Sequence, residues 1–209
     1  MKRNGMKVLG VFVAMNCVGF AVAMFLSVGL GSDSIGLLCD GIHVFFHLQY
    51  GNASLLYNLL IIGIALCCAR KNLGMGSIAY ALISGYFIDF YYFLLEPLQL
   101  SQSLLLIRLL GLVLGQLSLA FALAMLIQLE LGMNALDAVL HRVVKVTGWN
   151  YTILRTMIDV AYALMGSLLG GVFGIGTVFS VLTMGSCIGM FTKLIKKIGN
   201  HQRESMVNA

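Results

Sequence analysis

Few side chains in this sequence are equipped for chemistry, since only 10% of its 209 residues are charged. Arg155 and Asp159 stand four apart inside an apolar run, so on a helix they share a face. A carboxyl group in apolar surroundings gains proton affinity, which is what a proton-coupled carrier needs. Asp159 with Arg155 is therefore the first candidate for a coupling or solute site. An intrahelical pair that only holds the helices together is the other reading. Asn16 and Gln116, near the centres of two further apolar runs, either face the same cavity or bond across the bundle.

Asp89 and Arg108 flank the lone proline, Pro97, at similar distances. An antiparallel hairpin turning at Pro97 predicts an intramembrane ion pair about 10 Å below the turn, at the rise of 1.5 Å per residue of a helix. A charge at that depth is costly unless paired. The pair serves either as a latch or in gating.

Two shorter stretches carry polar faces at helical spacing: Asp33, Gly36, Asp40, His43 and His47 in one, Asn134, Asp137, His141 and Lys145 in the other. Histidines four apart can share a metal, but a stable site needs ligands from elsewhere, and no metal is assigned. A solvated face, or a role in solute capture or pH sensing, remains for the first. Around the second, Arg142 and Lys145 suit lipid phosphates. Gly74-Met75-Gly76-Ser77 and Gly174-Ile175-Gly176-Thr177 each open a helix, where free N–H groups attract an anion or the glycines allow close packing. No Walker lysine follows either turn. Neither a nucleophile elbow nor a His-Glu-x-x-His motif occurs, so no enzymatic activity and no cofactor are expected.

The elements that must position these residues are membrane helices. The chain is 60% hydrophobic with 24 glycines, and its mean hydropathy of +0.96 excludes an ordinary soluble domain. Six apolar runs are predicted to cross the bilayer, near 8–28, 55–69, 77–95, 104–129, 152–169 and 178–195. Two short helices, near 34–48 and 135–147, are expected to be interfacial or re-entrant. The net charge of +5 comes from clusters between the runs, not from a nucleic-acid patch. Lys2, Arg3, Lys7, Arg70, Lys71, Arg142, Lys145, Lys193, Lys196, Lys197 and Arg203 then all fall on one side, which places both termini in the cytoplasm. The five cysteines suggest no disulfide framework.

An internal repeat runs through the chain. Phe20-Ala21-Val22-Ala23-Met24 returns as Phe121-Ala122-Leu123-Ala124-Met125, and Leu30-Gly31 as Leu131-Gly132. The two glycine turns correspond, as do Gly85 with Gly185 and Ile88 with Ile188, and Asn52-Ala53-Ser54 parallels Asn150-Tyr151-Thr152. Each unit is expected to hold three crossings and one short helix, over 1–98 and 99–199, with 200–209 a cytoplasmic tail. Three is odd, so the second unit enters from the opposite face. Such inverted repeats are common in secondary transporters.

From Phe20 to Met190 the sequence resembles the YczE/YyaS/YitT family, in its YczE-like branch. The resemblance is carried by Leu30-Gly31-Ser32-Asp33 leading to Asp40-Gly41, by Leu131-Gly132 leading to Asp137, by Arg155 with Asp159, and by Gly170-Gly171, Gly174 and Gly176-Thr177. Where the family often has a proline and an aromatic after each first glycine motif, Ser34-Ile35 and Ala135 stand here. The resemblance implies a multipass protein of the bacterial cytoplasmic membrane and names no solute. The expected function is movement of a small solute or ion between the repeats, with membrane lipids, and a second copy or another membrane protein, as partners. A non-transporting accessory or regulatory protein is the alternative.

Overall fold

A computed structural model describes residues 2–70, 73–129 and 135–207. Among them the chain forms eight α-helices: α1 (Lys2–Val28), α2 (Ser34–Phe46), α3 (Tyr50–Cys68), α4 (Met75–Leu95), α5 (Leu105–Gln128), α6 (Ala135–Thr147), α7 (Tyr151–Leu168) and α8 (Ile175–Val207). Lys71, Leu131, Gly132 and Asn134 lie outside the described residues, as do the side chains of Lys2, Arg3, Asp137, His141 and Arg203 and the surroundings of Gly76.

Both expected short helices form, and α6 has the expected bounds. The helix expected from residue 55 starts at Tyr50 instead, because Tyr50, Gly51, Ala53 and Ser54 are buried. Tertiary burial there extends the helix beyond its apolar run. Among the described residues four helices are long and apolar enough to cross a membrane: Lys7–Val28, Tyr50–Cys68, Leu105–Gln128 and Ile175–Lys197. α4 and α7 fall on the other two expected crossings but are not among these four. α7 carries Arg155 and Asp159, which lower its hydropathy.

α1 is the central helix and packs against both α4 and α5. Its Gly19 lies so close to α4 that a Cβ would stand 2.5 Å from the Phe87 Cβ. On the α5 side a Cβ on Gly115 would stand 3.1 Å from the Ala21 carbonyl. Small residues let the backbones approach, which supplies the contact that apolar solvent cannot. Met15, Val18, Phe25 and Leu112 fill the spaces between. α5 in turn packs against α8, α2 against α7, and α3 against α4 and α6.

The outer surface is apolar: Phe93, Leu106, Leu168 and Leu182 are all largely exposed. Contiguous apolar surface of this extent belongs in lipid, not water. Of the four membrane-length helices α8 is the least covered by its neighbours and α1 the most.

Candidate functional site

The end of α1 makes a tight passage into α2. Gly29 and Gly31 both have positive φ, and at Gly31 a Cβ would stand 2.5 Å from Thr177 Oγ1. Only glycine takes this conformation cheaply. The turn carries the chain through Ser32 and Asp33 to Ser34, the first residue of α2. α2 then runs along α7, with Gly41 and Gly166 in close backbone approach, and stops at His47 in a left-handed conformation.

A cavity of about 430 Å³ lies between the ends of α1 and α4, the second half of α2, the start of α3 and the link before α8, lined by Ser32, Asp40, His43, Tyr50, Asp89 and Glu96 among others. Asp40 is 7% exposed, and its Oδ2 accepts the Val172 N–H at 2.7 Å. Burial raises the proton affinity of Asp40, while the Val172 N–H and His43 work against the rise. His43 Nδ1 meets the Leu48 carbonyl, which fixes a proton on that nitrogen. The Tyr50 hydroxyl donates to the Gly36 carbonyl at 3.2 Å and ties α3 to α2.

Asp89 and Arg108 do not form the expected ion pair. Asp89 Oδ1 accepts the Gly51 N–H at 2.8 Å, while Arg108 donates from Nε to the Val28 carbonyl at 2.8 Å and from an Nη to the Gly29 carbonyl at 3.1 Å. α1 packs against both α4 and α5 and lies between them, so the chain around Pro97 is not a closed hairpin. Each charge instead serves a helix end of opposite polarity, the start of α3 and the end of α1.

Below the cavity a second polar group joins α2 to α7. Arg155 Nε and Asp159 Oδ2 pair at 3.1 Å, as the four-residue spacing predicts. Ser34 Oγ donates to Asp159 Oδ1 at 2.5 Å. Asp33, in the link before α2, faces the same pair. Burial pushes its carboxyl up to about 6; the backbone N–H of Gly36 works against the rise, Asp159 adds to it and Arg155 opposes it. Tyr57 of α3 closes the group and meets the Tyr162 ring edge-on, with centroids 5.7 Å apart.

Asn16 and Gln116 do not join this group. Asn16 donates to the Phe12 carbonyl at 2.9 Å and accepts from the Tyr91 hydroxyl at 3.1 Å. Gln116 accepts from Ser180 at 2.6 Å and donates to Thr183 at 3.1 Å. The close packing of α1 on α5 turns each amide outward, toward α4 and α8 respectively. The glycine starts are also occupied. Gly174 and Gly176 lie against Leu30 and Gly31, and the Gly176 N–H donates to the Leu30 carbonyl at 2.8 Å. At Gly74 the backbone N–H meets the Ser77 hydroxyl at 3.4 Å. The first turn caps its helix, and the second packs on Leu30 and Gly31 with the Gly176, Thr177 and Val178 N–H groups bonded within the chain. His43 lines the cavity, whereas His47 is exposed at the end of α2.

Sequence reasoning missed Ser34, Tyr57, Tyr50 and Glu96. Ser34 had the one available signal, its place directly after Asp33 in the helix-start pattern.

The elements that build both polar groups lie within a single stretch matched by one family model. The model is that of a family of unknown function, DUF6198, and it matches residues 5–193. The chain belongs to the DUF6198 family. An uncharacterized protein of Haemophilus influenzae is 23% identical over 185 residues, covering 88% of this chain and 83% of that protein. The uncharacterized membrane protein YczE of Bacillus subtilis is 25% identical over 140 residues, covering 67% of this chain and 63% of YczE. The resemblance read from Phe20 to Met190 is therefore to a true relative of this DUF6198 protein. No solved structure matches it significantly.

Proposed function

We propose that this DUF6198 protein is a carrier of a small cationic solute in the bacterial cytoplasmic membrane. Six crossings in two inverted units, with cytoplasmic termini, form its frame. The observation that carries the reading is the cavity of about 430 Å³, whose lining among the described residues holds Asp40, Asp89, Glu96 and His43 and neither lysine nor arginine. Carboxylates around a partly enclosed space lower the energy of a cation there and repel anions.

The arrangement of contacts supports inverted halves. Asn16 of α1 reaches Tyr91 of α4 as Gln116 of α5 reaches Ser180 of α8, and α2 packs on α7 as α6 packs on α3. One corresponding pair differs. Gly85 of α4 meets the Gly51 backbone, but Gly185 of α8 faces open space. Helices closed on one side and parted on the other fit halves that rock.

A second reading, an accessory protein without transport, is favoured by the contact between α1 and α5. That contact is packed closely by Gly111 and Gly115, and Ser118 donates across it to the Cys17 carbonyl at 3.1 Å. The test is thermal unfolding of the purified protein with a panel of amines, inorganic cations and anions, because a ligand of the folded state raises apparent stability. Stabilisation by a cation, lost in Glu96→Gln with Asp40→Asn, supports the carrier. Stabilisation by anions alone, or by nothing in the panel, overturns it.

A further inference from the structure

The cavity beside α2 holds a buried carboxylate with no salt bridge among the described residues. Asp40 is 7% exposed, and one of its oxygens, Oδ2, accepts the Val172 N–H at 2.7 Å. His43, one turn further along α2, has its Nδ1 on the Leu48 carbonyl instead. Arg108, behind the Gly29 wall, is committed to the Val28 and Gly29 carbonyls. A carboxylate so buried is costly unless a cation reaches it. Asp89 lines the same space with Oδ1 on the Gly51 N–H. Glu96, just past the end of α4, is the exposed acidic member of the lining.

These carboxylates are not arranged for a metal. Among the described residues no three His, Cys, Asp or Glu side chains converge closely enough to hold one, whereas a hard cation such as calcium takes about six to eight oxygens at once. Asp40 and Asp89 each have one oxygen engaged by a backbone N–H, which suits a single charge-assisted hydrogen bond from an ammonium rather than chelation. Beside the charges the lining is aromatic: Phe25 is 1% and Tyr50 6% exposed. The Tyr50 hydroxyl is taken by the Gly36 carbonyl at 3.2 Å, so its ring is what remains for a ligand. The His43 ring lies 6.3 Å from it, centroid to centroid. Aromatic rings attract both an ammonium and its hydrocarbon body. The cavity of about 430 Å³ is many times the roughly 30 Å³ that one water takes, and its size is that of a site for a small organic ligand.

We propose that the solute of this cavity is an organic ammonium ion, its nitrogen donating to Asp40 and its alkyl or aromatic body lying against Phe25 and Tyr50. Glu96 draws the cation in, and Asp40 holds it. The proposal rests on the carrier reading above and narrows it to organic cations.

The test is thermal unfolding of the full chain at neutral pH with the chlorides of sodium, potassium and magnesium, the straight-chain amines from methylamine to hexylamine, and phenethylamine. Hexanol controls for partition of the apolar body into detergent. Apparent affinity should rise about three- to four-fold per methylene until the cavity is full, and hexylamine should stabilise more than hexanol. Asp40→Asn keeps an oxygen for the Val172 N–H and should weaken hexylamine binding about ten-fold or more. Glu96→Gln changes an exposed side chain, leaves the core untouched, and should weaken binding by about two- to five-fold, less at high salt. A flat amine series, equal stabilisation by hexanol, or Asp40→Asn that binds hexylamine as the wild type does overturns the proposal. Stabilisation by sodium, potassium or magnesium and by none of the amines also overturns it, yet leaves a cation carrier standing. No response to any cation brings down both.

Discussion

The Ser34 hydroxyl donates to the Asp159 carboxylate at 2.5 Å, joining the first residue of α2 to the middle of α7 across 125 positions of sequence. A hydrogen bond to a charged group contributes about 1.5–3 kcal/mol when its removal leaves the acceptor buried. Ser34→Ala should therefore destabilise the protein by roughly that range. Ser167→Ala should cost much less, because Ser167 is exposed and bonds only the Ala163 carbonyl on its own helix. Denaturant or thermal unfolding in detergent compares the two.

Asp89 and Arg108 hold different helix ends, so their energies should add. Asp89→Ala and Arg108→Ala are each expected to destabilise by about 1–3 kcal/mol, from the loss of charge-assisted hydrogen bonds. In a double-mutant cycle their coupling should stay within about 0.5 kcal/mol. A direct ion pair would instead give a coupling well above that, and unfolding of the four proteins reads it.

Gly85 and Gly185 occupy corresponding places in the repeat but meet different surroundings. A Cβ on Gly85 would stand 2.6 Å from the Gly51 carbonyl, whereas nothing lies within 4 Å of one on Gly185. Gly85→Ala should cost about 1–3 kcal/mol through overpacking of backbone on backbone. Gly185→Ala should be neutral or slightly stabilising, since alanine favours a helix by about 1 kcal/mol over glycine. Expression level and melting temperature of both variants check this.

Cysteines placed at Arg70, Arg142 and Gln102 on a background without native cysteines test the topology. An impermeant thiol reagent added to intact cells should label position 102 and leave 70 and 142 unlabelled until the membrane is opened. Labelling of 70 and 142 from opposite sides is the outcome that six crossings in inverted units forbid.

Much of the fold was legible because membrane helices satisfy their backbone internally and announce themselves as apolar runs. α1, α5 and α6 fall where hydropathy and amphipathic spacing put them. The Arg155–Asp159 pair was equally legible, since four residues along one helix fix a shared face whatever surrounds it.

Composition and local order thus determined that the chain is helical, belongs in a bilayer and carries the Arg155–Asp159 pair within one helix. Only the tertiary structure decided which charges meet between helices. Sequence distance from Pro97 matched Asp89 to Arg108, yet α1 packs between their helices, and each charge meets a nearer helix terminus, the start of α3 for Asp89 and the end of α1 for Arg108. Asn16 and Gln116 parted from Asp159 for the same reason: the direction of a side chain depends on which face its helix turns to a neighbour. That rotation is set by the packing of small residues such as Gly19 and Gly115, whose contacts form only once the helices have come together.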